Sequence, residues 1–336
     1  KGGIRRSDII RNLDAMLPKE RVKEIHSRIK PVVTQTDVAI LGGGPAGMAA
    51  AIYLAQAKVS TLIIDPMLPG GQVSTTHQVS NYPGFVKPQP GYMLAHYMSE
   101  QAKEAGAAFK VAVEVNSVDL LKKEIIIDGF ETIQAKKILI ATGASPRYLN
   151  VEGEREYYGK GISYCATCDA KYFHDKEVVI IGGGNTAVEE SEFISKFASK
   201  ITMVQQLPHL TANKSAQERA FADPKISILY EHEPRGFYRQ GDKMLVKVED
   251  LTSGNTKDLV SDGVFVFVGM KPNLDLISDK LDTDNWGYIR VDEDMRTNIP
   301  GVYAAGDVIS KKIRQITTAV GDGTIASIAL ARELDS

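Results

Sequence analysis

Cysteine is almost missing: 336 residues hold two, Cys165 and Cys168. Two thiols cannot complete a structural zinc site, which takes four ligands, and only His174 follows nearby. Long apolar runs are missing too. None approaches the roughly 18–20 residues that a membrane span requires. Residues 1–30 lack the apolar core of a signal peptide. The chain opens on Lys1 instead of Met, as a trimmed chain does. Charge of one sign is absent as well. Forty Lys and Arg stand against 42 Asp and Glu, a net charge of −2, which leaves no field for bulk nucleic-acid binding. A pair of cysteines without a secretory leader fits a reducing cytoplasm, where a C-x-x-C is more often catalytic than structural. The length exceeds one comfortable core and predicts two domains.

What is present begins with Cys165-Ala166-Thr167-Cys168-Asp169. Two sulfurs three positions apart can close and reopen a small disulfide ring, so the pair reads as a dithiol/disulfide redox couple. Glycine is in excess, 29 residues, and much of it follows apolar runs. Val38-Ala39-Ile40-Leu41 predicts a buried strand. Gly42-Gly43-Gly44-Pro45-Ala46-Gly47 then opens a helical pattern through Ala57, and a second strand at 61–64 ends in Asp65. This is the dinucleotide-binding order of strand, G-x-G-x-x-G, helix, strand and acid. Gly42 serves the tight turn, Gly44 the approach of a pyrophosphate, and Gly47 close packing of helix on strand. The helix N-terminus offers N–H groups to phosphates, and Asp65 offers its carboxylate to a ribose.

The order repeats. Residues 177–181 predict a strand, Gly182-Gly183-Gly184-Asn185-Thr186-Ala187 a second glycine turn, and 201–204 the next strand. Counting 23 positions from Gly42 gives Asp65; the same count from Gly182 gives Gln205. Gln205-Gln206-Leu207 supplies neither the acid that suits an unphosphorylated ribose nor the arginine that suits a 2′-phosphate. Residues 301–307 predict a strand turning sharply into Asp307, with a helix starting at 321–323. Ahead of all this, Ser7 starts a helix bearing Ile9, Ile10, Leu13 and Leu17, and Pro18 a second with Val22, Ile25 and Ile29. Nine Lys/Arg face four Asp/Glu across residues 1–30. Solvated charge on two amphipathic helices is preferred there over a basic docking face.

Taken in order, GGGPAG at 42–47, GGQ at 70–72, ATGASPRYL at 141–149, CATCD at 165–169, GGGNTAVEE at 182–190, AAGD at 304–307 and RQ at 314–315 resemble the low-molecular-weight, FAD-dependent thioredoxin reductases. The resemblance covers roughly residues 37–336. It implies an α/β fold of two Rossmann-like dinucleotide-binding domains, the second inserted into the first. The expected division is an arm at 1–36, an FAD domain at 37–147 and 274–336, and an inserted C-x-x-C domain at 148–273. FAD would be held by Gly42, Gly44, Pro45, Ala46, Gly47 and Asp65, by Gly71, Gln72 and Asn81, by Ala141, Thr142 and Gly143, and by Gly306, Asp307, Arg314, Gln315 and Ile316. Cys165 would be the attacking thiol, Cys168 the sulfur facing the flavin, and Asp169 the acid/base that moves a proton between thiolate and solvent. The plainer alternative for Asp169 is charge complementarity at a helix N-terminus. Thioredoxin would be the partner, the assembly a homodimer, and no metal is expected.

The family reads NADPH through a His-Arg-Arg stretch and a later Arg. Those positions here are Gln205, Gln206, Leu207 and Thr211. A donor other than NADPH is therefore expected, either ferredoxin or a second FAD over Gly182, Gly184, Asn185, Thr186, Ala187 and Gln205. The retained glycines keep an NAD(P)H-dependent enzyme of unusual preference as one alternative. An FAD-dependent dithiol oxidase using oxygen is another.

Overall fold

In the computed structural model the described residues are 17–28, 30–76, 79, 81–277 and 281–335. The first expected helix falls on residues outside these, save for an exposed Leu17. The second forms as α1 (Lys19–Arg28), one position after Pro18, with Val22 buried.

Strands β1 (Val32–Leu41), β2 (Thr61–Asp65), β3 (Ala108–Val111), β4 (Val115–Asp119), β5 (Glu124–Ile127) and β6 (Glu131–Ile140) build the first sheet in the order β3-β2-β1-β6-β5-β4. The members from β3 to β6 run parallel, and β5 pairs antiparallel with both β6 and β4. Helices α2 (Pro45–Gln56) and α3 (Gly91–Glu104) and a 3-10 turn at Gly71–Thr75 complete this layer. β1 explains why the sequence reads as a solid apolar run. Val38 and Ile40 enter the core beneath α2, while Ala39 and Leu41 enter a second core on the opposite face. The strand also begins at Val32, six residues before the apolar run. Residues 32–36 are mostly exposed and polar, and they pair along β6 from Val32 opposite Glu131. Backbone pairing extends the strand there, joined by the Thr34 hydroxyl donating to Glu131 Oε1 (2.7 Å), and hydrophobic periodicity reports neither.

The chain leaves this sheet through β7 (Ala144–Pro146). It then builds β8 (Ile162–Ser163), the single turn α4 (Ala166–Asp169), β9 (Glu177–Ile181), α5 (Asn185–Ile194), β10 (Lys200–Gln205), α6 (Lys214–Ala222) and β11 (Ile226–Tyr230). An antiparallel trio follows, β12 (His232–Gln240), β13 (Lys243–Asp250) and β14 (Thr256–Ser261), and then β15 (Gly263–Val266). The second sheet is parallel, in the order β11-β10-β9-β15-β8. Helices α5 and α6 cover one face over Val178 and Ile180. The antiparallel trio covers the other over Val179 and Ile181, through Phe237, Met244 and Val246.

The chain returns through β16 (Met270–Pro272), which pairs antiparallel with β7, Met270 opposite Pro146 and Pro272 opposite Ala144. β17 (Val302–Ala304) then joins the first sheet, parallel to the last part of β6. The final helix, α7 (Ile316–Asp335), starts five residues before the glycines expected to open it. Gly323 instead lies inside the helix, at a contact with α2: a Cβ there would stand 2.2 Å from the Ala46 carbonyl oxygen.

Candidate functional site

The two glycine turns repeat the same local bonding. Gly42 N–H donates to the Ile64 carbonyl (2.8 Å), and Gly182 N–H donates to that of Val204 (3.0 Å). Both glycines hold positive φ, +108° and +126°, where a side chain is strained. Gly44 and Gly184 cap α2 and α5 with nearly equal dihedrals. The acid and the amide counted from the sequence occupy matching places. Asp65 accepts the N–H of Gly43 (2.6 Å) and that of Met67 (2.7 Å). Burial pushes the Asp65 carboxyl above its usual range, and the two N–H groups pull it back. Gln205 is buried over Gly183, and its Nε2 donates to the His209 carbonyl (3.0 Å).

One cavity of about 1690 Å³ collects most of the expected residues. That exceeds the usual range for a drug-sized ligand and suits a dinucleotide. Every residue assigned above to FAD lines it except Gly47, which is buried against the turn instead. Three features show a wall built for a ligand. Gly44 faces open space, so a side chain there would intrude on the cavity. The Thr142 hydroxyl is buried with no hydrogen-bond partner. Helices α2 and α7 both start at the wall, at Pro45 and Ile316, and direct N–H groups toward it. Asp307 lines the cavity from a 3-10 turn, Gly306–Val308. Burial raises its carboxyl, and Lys311, 3.2 Å away, opposes that shift. Arg314 packs its guanidinium 3.9 Å from the Tyr288 ring centre and donates to the carbonyls of Asp307 and Ile309.

Cys165, Cys168 and Asp169 line the same cavity. The cysteines form a disulfide with Cα atoms 5.4 Å apart, and α4 starts directly after Cys165. Ser163, at the end of β8, organises the turn. Its hydroxyl donates to Asp169 Oδ2 (2.6 Å) and accepts the Cys165 N–H (3.1 Å). Asp169 is thus bonded inside the redox loop, and its N–H returns to the Cys165 carbonyl (3.2 Å). Behind the loop, the fully buried Glu154 accepts the N–H groups of Leu149 and Asn150 and the Tyr164 hydroxyl (2.7 Å). Burial, followed by that carboxylate, holds the Tyr164 phenol far above its usual range.

Sequence reasoning missed Ser163, Glu154, Tyr164 and Glu190. The last lines the cavity from α5 with one buried, unbonded oxygen, and burial raises its carboxyl. Glu190 closes the GGGNTAVEE stretch at 182–190, but its spacing gives it no role, and Ser163, Glu154 and Tyr164 act through fold contacts that no motif reports. The second glycine turn stands apart: of its six expected residues only Thr186 lines the cavity. Around it, Asn185 accepts the N–H and amide of Asn213, and Arg219 is bound by Glu192 through both carboxylate oxygens.

The comparisons agree with this geometry. The family described as pyridine nucleotide-disulphide oxidoreductase matches residues 36–323. A thioredoxin reductase of Peptoclostridium acidaminophilum is 44% identical over 298 residues, 87% of this chain and 94% of the relative. Among solved structures, the thioredoxin reductase of Streptococcus pyogenes MGAS5005 superposes with a TM-score of 0.82 at 38% identity, covering 90% of this chain and 98% of that one. That of Giardia duodenalis reaches 0.82 at 32% identity, covering 90% and 99%. With the redox disulfide and the first glycine turn on one cavity, the chain belongs to the low-molecular-weight thioredoxin reductase family of flavin disulfide oxidoreductases.

Proposed function

We propose that this protein reduces a protein disulfide of the thioredoxin type, and that its flavin takes electrons from a donor other than NADPH. The observation that carries the first part is the single cavity holding both the dinucleotide cradle and the Cys165–Cys168 disulfide. The family implies FAD, and the cradle fits it: Gly44 leaves room for the pyrophosphate, the Thr142 hydroxyl awaits a partner, and Asp65 and Asp307 stand at its walls. Bound there, FAD supplies the electron pair that reduces the disulfide.

The chain's own residues do the rest. In the reduced pair, Cys165 attacks the partner's disulfide and displaces one partner thiolate. Cys168 then attacks Cys165 Sγ, displaces the second, and restores the Cys165–Cys168 bond. Two electrons and two protons end on the partner. Asp169, fixed by Ser163 beside the pair, holds and returns the proton.

The donor reading rests on the second turn. Gln205 fills the ribose end with a neutral amide, and the guanidinium of Arg219 is neutralised by Glu192. A 2′-phosphate finds no matched charge among these residues. Reduced ferredoxin or a second FAD meets the same requirement without one. In this reading thioredoxin is the partner, the active form is a homodimer of two FAD domains with inserted domains at 148–273, and the setting is the cytoplasm. Among the described residues no helix is long and apolar enough to cross a membrane.

Anaerobic titration of the flavin with NADPH, NADH and reduced ferredoxin tests the donor. Bleaching by ferredoxin alone supports the proposal; rapid bleaching by micromolar NADPH overturns it. Oxygen uptake with a small dithiol, without reduction of any thioredoxin, would instead make the protein a dithiol oxidase.

A further inference from the structure

Thr167 lies between the two cysteines and has no part in the chemistry above. Its hydroxyl oxygen stands 3.5 Å from Cys165 Sγ and 3.3 Å from Gln315 Nε2. Gln315 is 148 residues away in sequence, just ahead of α7, and its Oε1 accepts from Asn81 Nδ2 at 3.2 Å. Valence fixes the directions. A disulfide sulfur carries no proton, so the hydroxyl donates at that contact. Gln315 Nε2 only donates, so the hydroxyl accepts there. One proton and two lone pairs allow both at once. The result is a head-to-tail series, Asn81 to Gln315 to Thr167 to Cys165, in which every member donates toward the sulfur.

We propose that Thr167 is a further residue of the redox site, donating to the Cys165 thiolate while Gln315 and Asn81 back it, and losing that backing when the second sheet's unit parts from the first. The proposal rests on Cys165–Cys168 being the redox pair and deepens that reading. A disulfide sulfur is a weak acceptor and a thiolate a strong one. Charge-assisted hydrogen bonds are roughly twice as strong as neutral ones, and donors in series polarise each other. The bond therefore stabilises the reduced pair more than the oxidised pair. It makes the disulfide easier to reduce and the Cys165 thiol more acidic.

Location gives the bond a second consequence. Asn81 and Gln315 belong to the unit of the first sheet, and Thr167 to that of the second. The chain crosses between them only at β7 and β16, which pair with each other. One more contact spans the gap near this point, the Thr75 and Tyr158 hydroxyls at 3.5 Å. Cys165 is half-buried on the cavity wall, so a protein disulfide reaches it only after the units part. Parting separates Thr167 from Gln315. The thiolate then loses its polarised donor and becomes more basic, and thiolate nucleophilicity rises with basicity. One hydroxyl thus favours electron arrival with the units together and electron departure with them apart.

The test uses the full-length flavoprotein and two variants. Thr167→Val removes the hydroxyl at constant shape; Thr167→Ser keeps it. Each protein is equilibrated without oxygen in graded mixtures of reduced and oxidised dithiothreitol, and its thiols are alkylated and counted by mass. This readout needs neither a donor nor a protein partner. Thr167→Val should be about tenfold harder to reduce, which is about 30 mV at two electrons. Its Cys165 alkylation midpoint should rise by roughly one pH unit, while Thr167→Ser should stay near the parent on both measures. A Thr167→Val potential equal to the parent's overturns the proposal, and so does a Thr167→Ser shift as large as that of Thr167→Val. A parent pair that cannot be cycled reversibly in any mixture would overturn the redox-pair reading itself.

Discussion

Replacing Gly47 with alanine tests whether the first glycine turn holds a flavin for the reason the packing gives. A Cβ on Gly47 would lie 2.0 Å from the Gly42 carbonyl oxygen and 3.2 Å from Ile40 Cγ2. Relief needs α2 to retreat from β1 by about 1 Å in a close-packed layer. That path is closed from behind, because Gly323 of α7 already leaves only 2.2 Å for a Cβ beside the Ala46 carbonyl. Nor can the turn yield: Gly42 is held by its N–H bond to Ile64. Overpacking of this kind costs about 1–3 kcal/mol, and the better helix propensity of alanine offsets at most about 1 kcal/mol. The matching position of the second turn provides the control. Ala187 is fully buried against α5's neighbours, and Ala187→Gly loses a methyl and some helix propensity, about 1–2 kcal/mol in all. The two variants therefore lose similar stability by urea unfolding but differ in colour. Gly47→Ala should purify with little flavin and Ala187→Gly with the parent's ratio of flavin to protein absorbance. A fully loaded Gly47→Ala protein would refute the steric argument, and equal flavin loss in both would refute the assignment of the flavin to the first turn.

Cys168→Ser should keep its flavin and lose protein-disulfide reduction by roughly three orders of magnitude or more; loss of flavin instead would make the disulfide a structural clasp. Tyr303 supplies a pH prediction. It is fully buried, and burial first, then the Glu333 carboxylate that accepts its hydroxyl, push its phenol up to about 12. An unfolded tyrosine titrates near 10, so the contribution is complete below about pH 10 and fades as the pH climbs toward 12, by about 2 kcal/mol. Urea unfolding at stepped pH should show that loss in the parent and not in Tyr303→Phe; parallel curves would dispose of it.

Much of the chemistry was legible because it is local. Gly42, Gly44 and Asp65 announce, within one span, a tight turn, an open approach and a carboxylate bonded back to that turn, and Cys165 and Cys168 announce a disulfide by spacing alone. The antiparallel trio β12–β14 was not foreseen, since strands that mix buried and solvated positions give a weaker pattern than the apolar runs of β1 and β9. The α7 boundary was displaced because Gly321 and Gly323 look like punctuation, whereas Gly323 is required by the neighbouring helix rather than by its own turn. Glu154, buried 10 residues before its partner Tyr164, could not be read at all. A buried carboxylate resembles a surface one until the fold encloses it.

The β7–β16 ribbon bears on how such a chain comes to exist. Opposed residues in an antiparallel pair lie about 5 Å apart, so the segment between them begins and ends at almost the same point. A complete nucleotide-binding unit could be spliced into an ancestral one there with no more strain than a hairpin loop imposes. The near-equal glycine turns at 42–47 and 182–187 are what such a duplication would leave behind. The same closeness means that joining Gly143 to Asn273, already hydrogen-bonded at 3.0 Å, by a short loop should return a one-sheet flavoprotein.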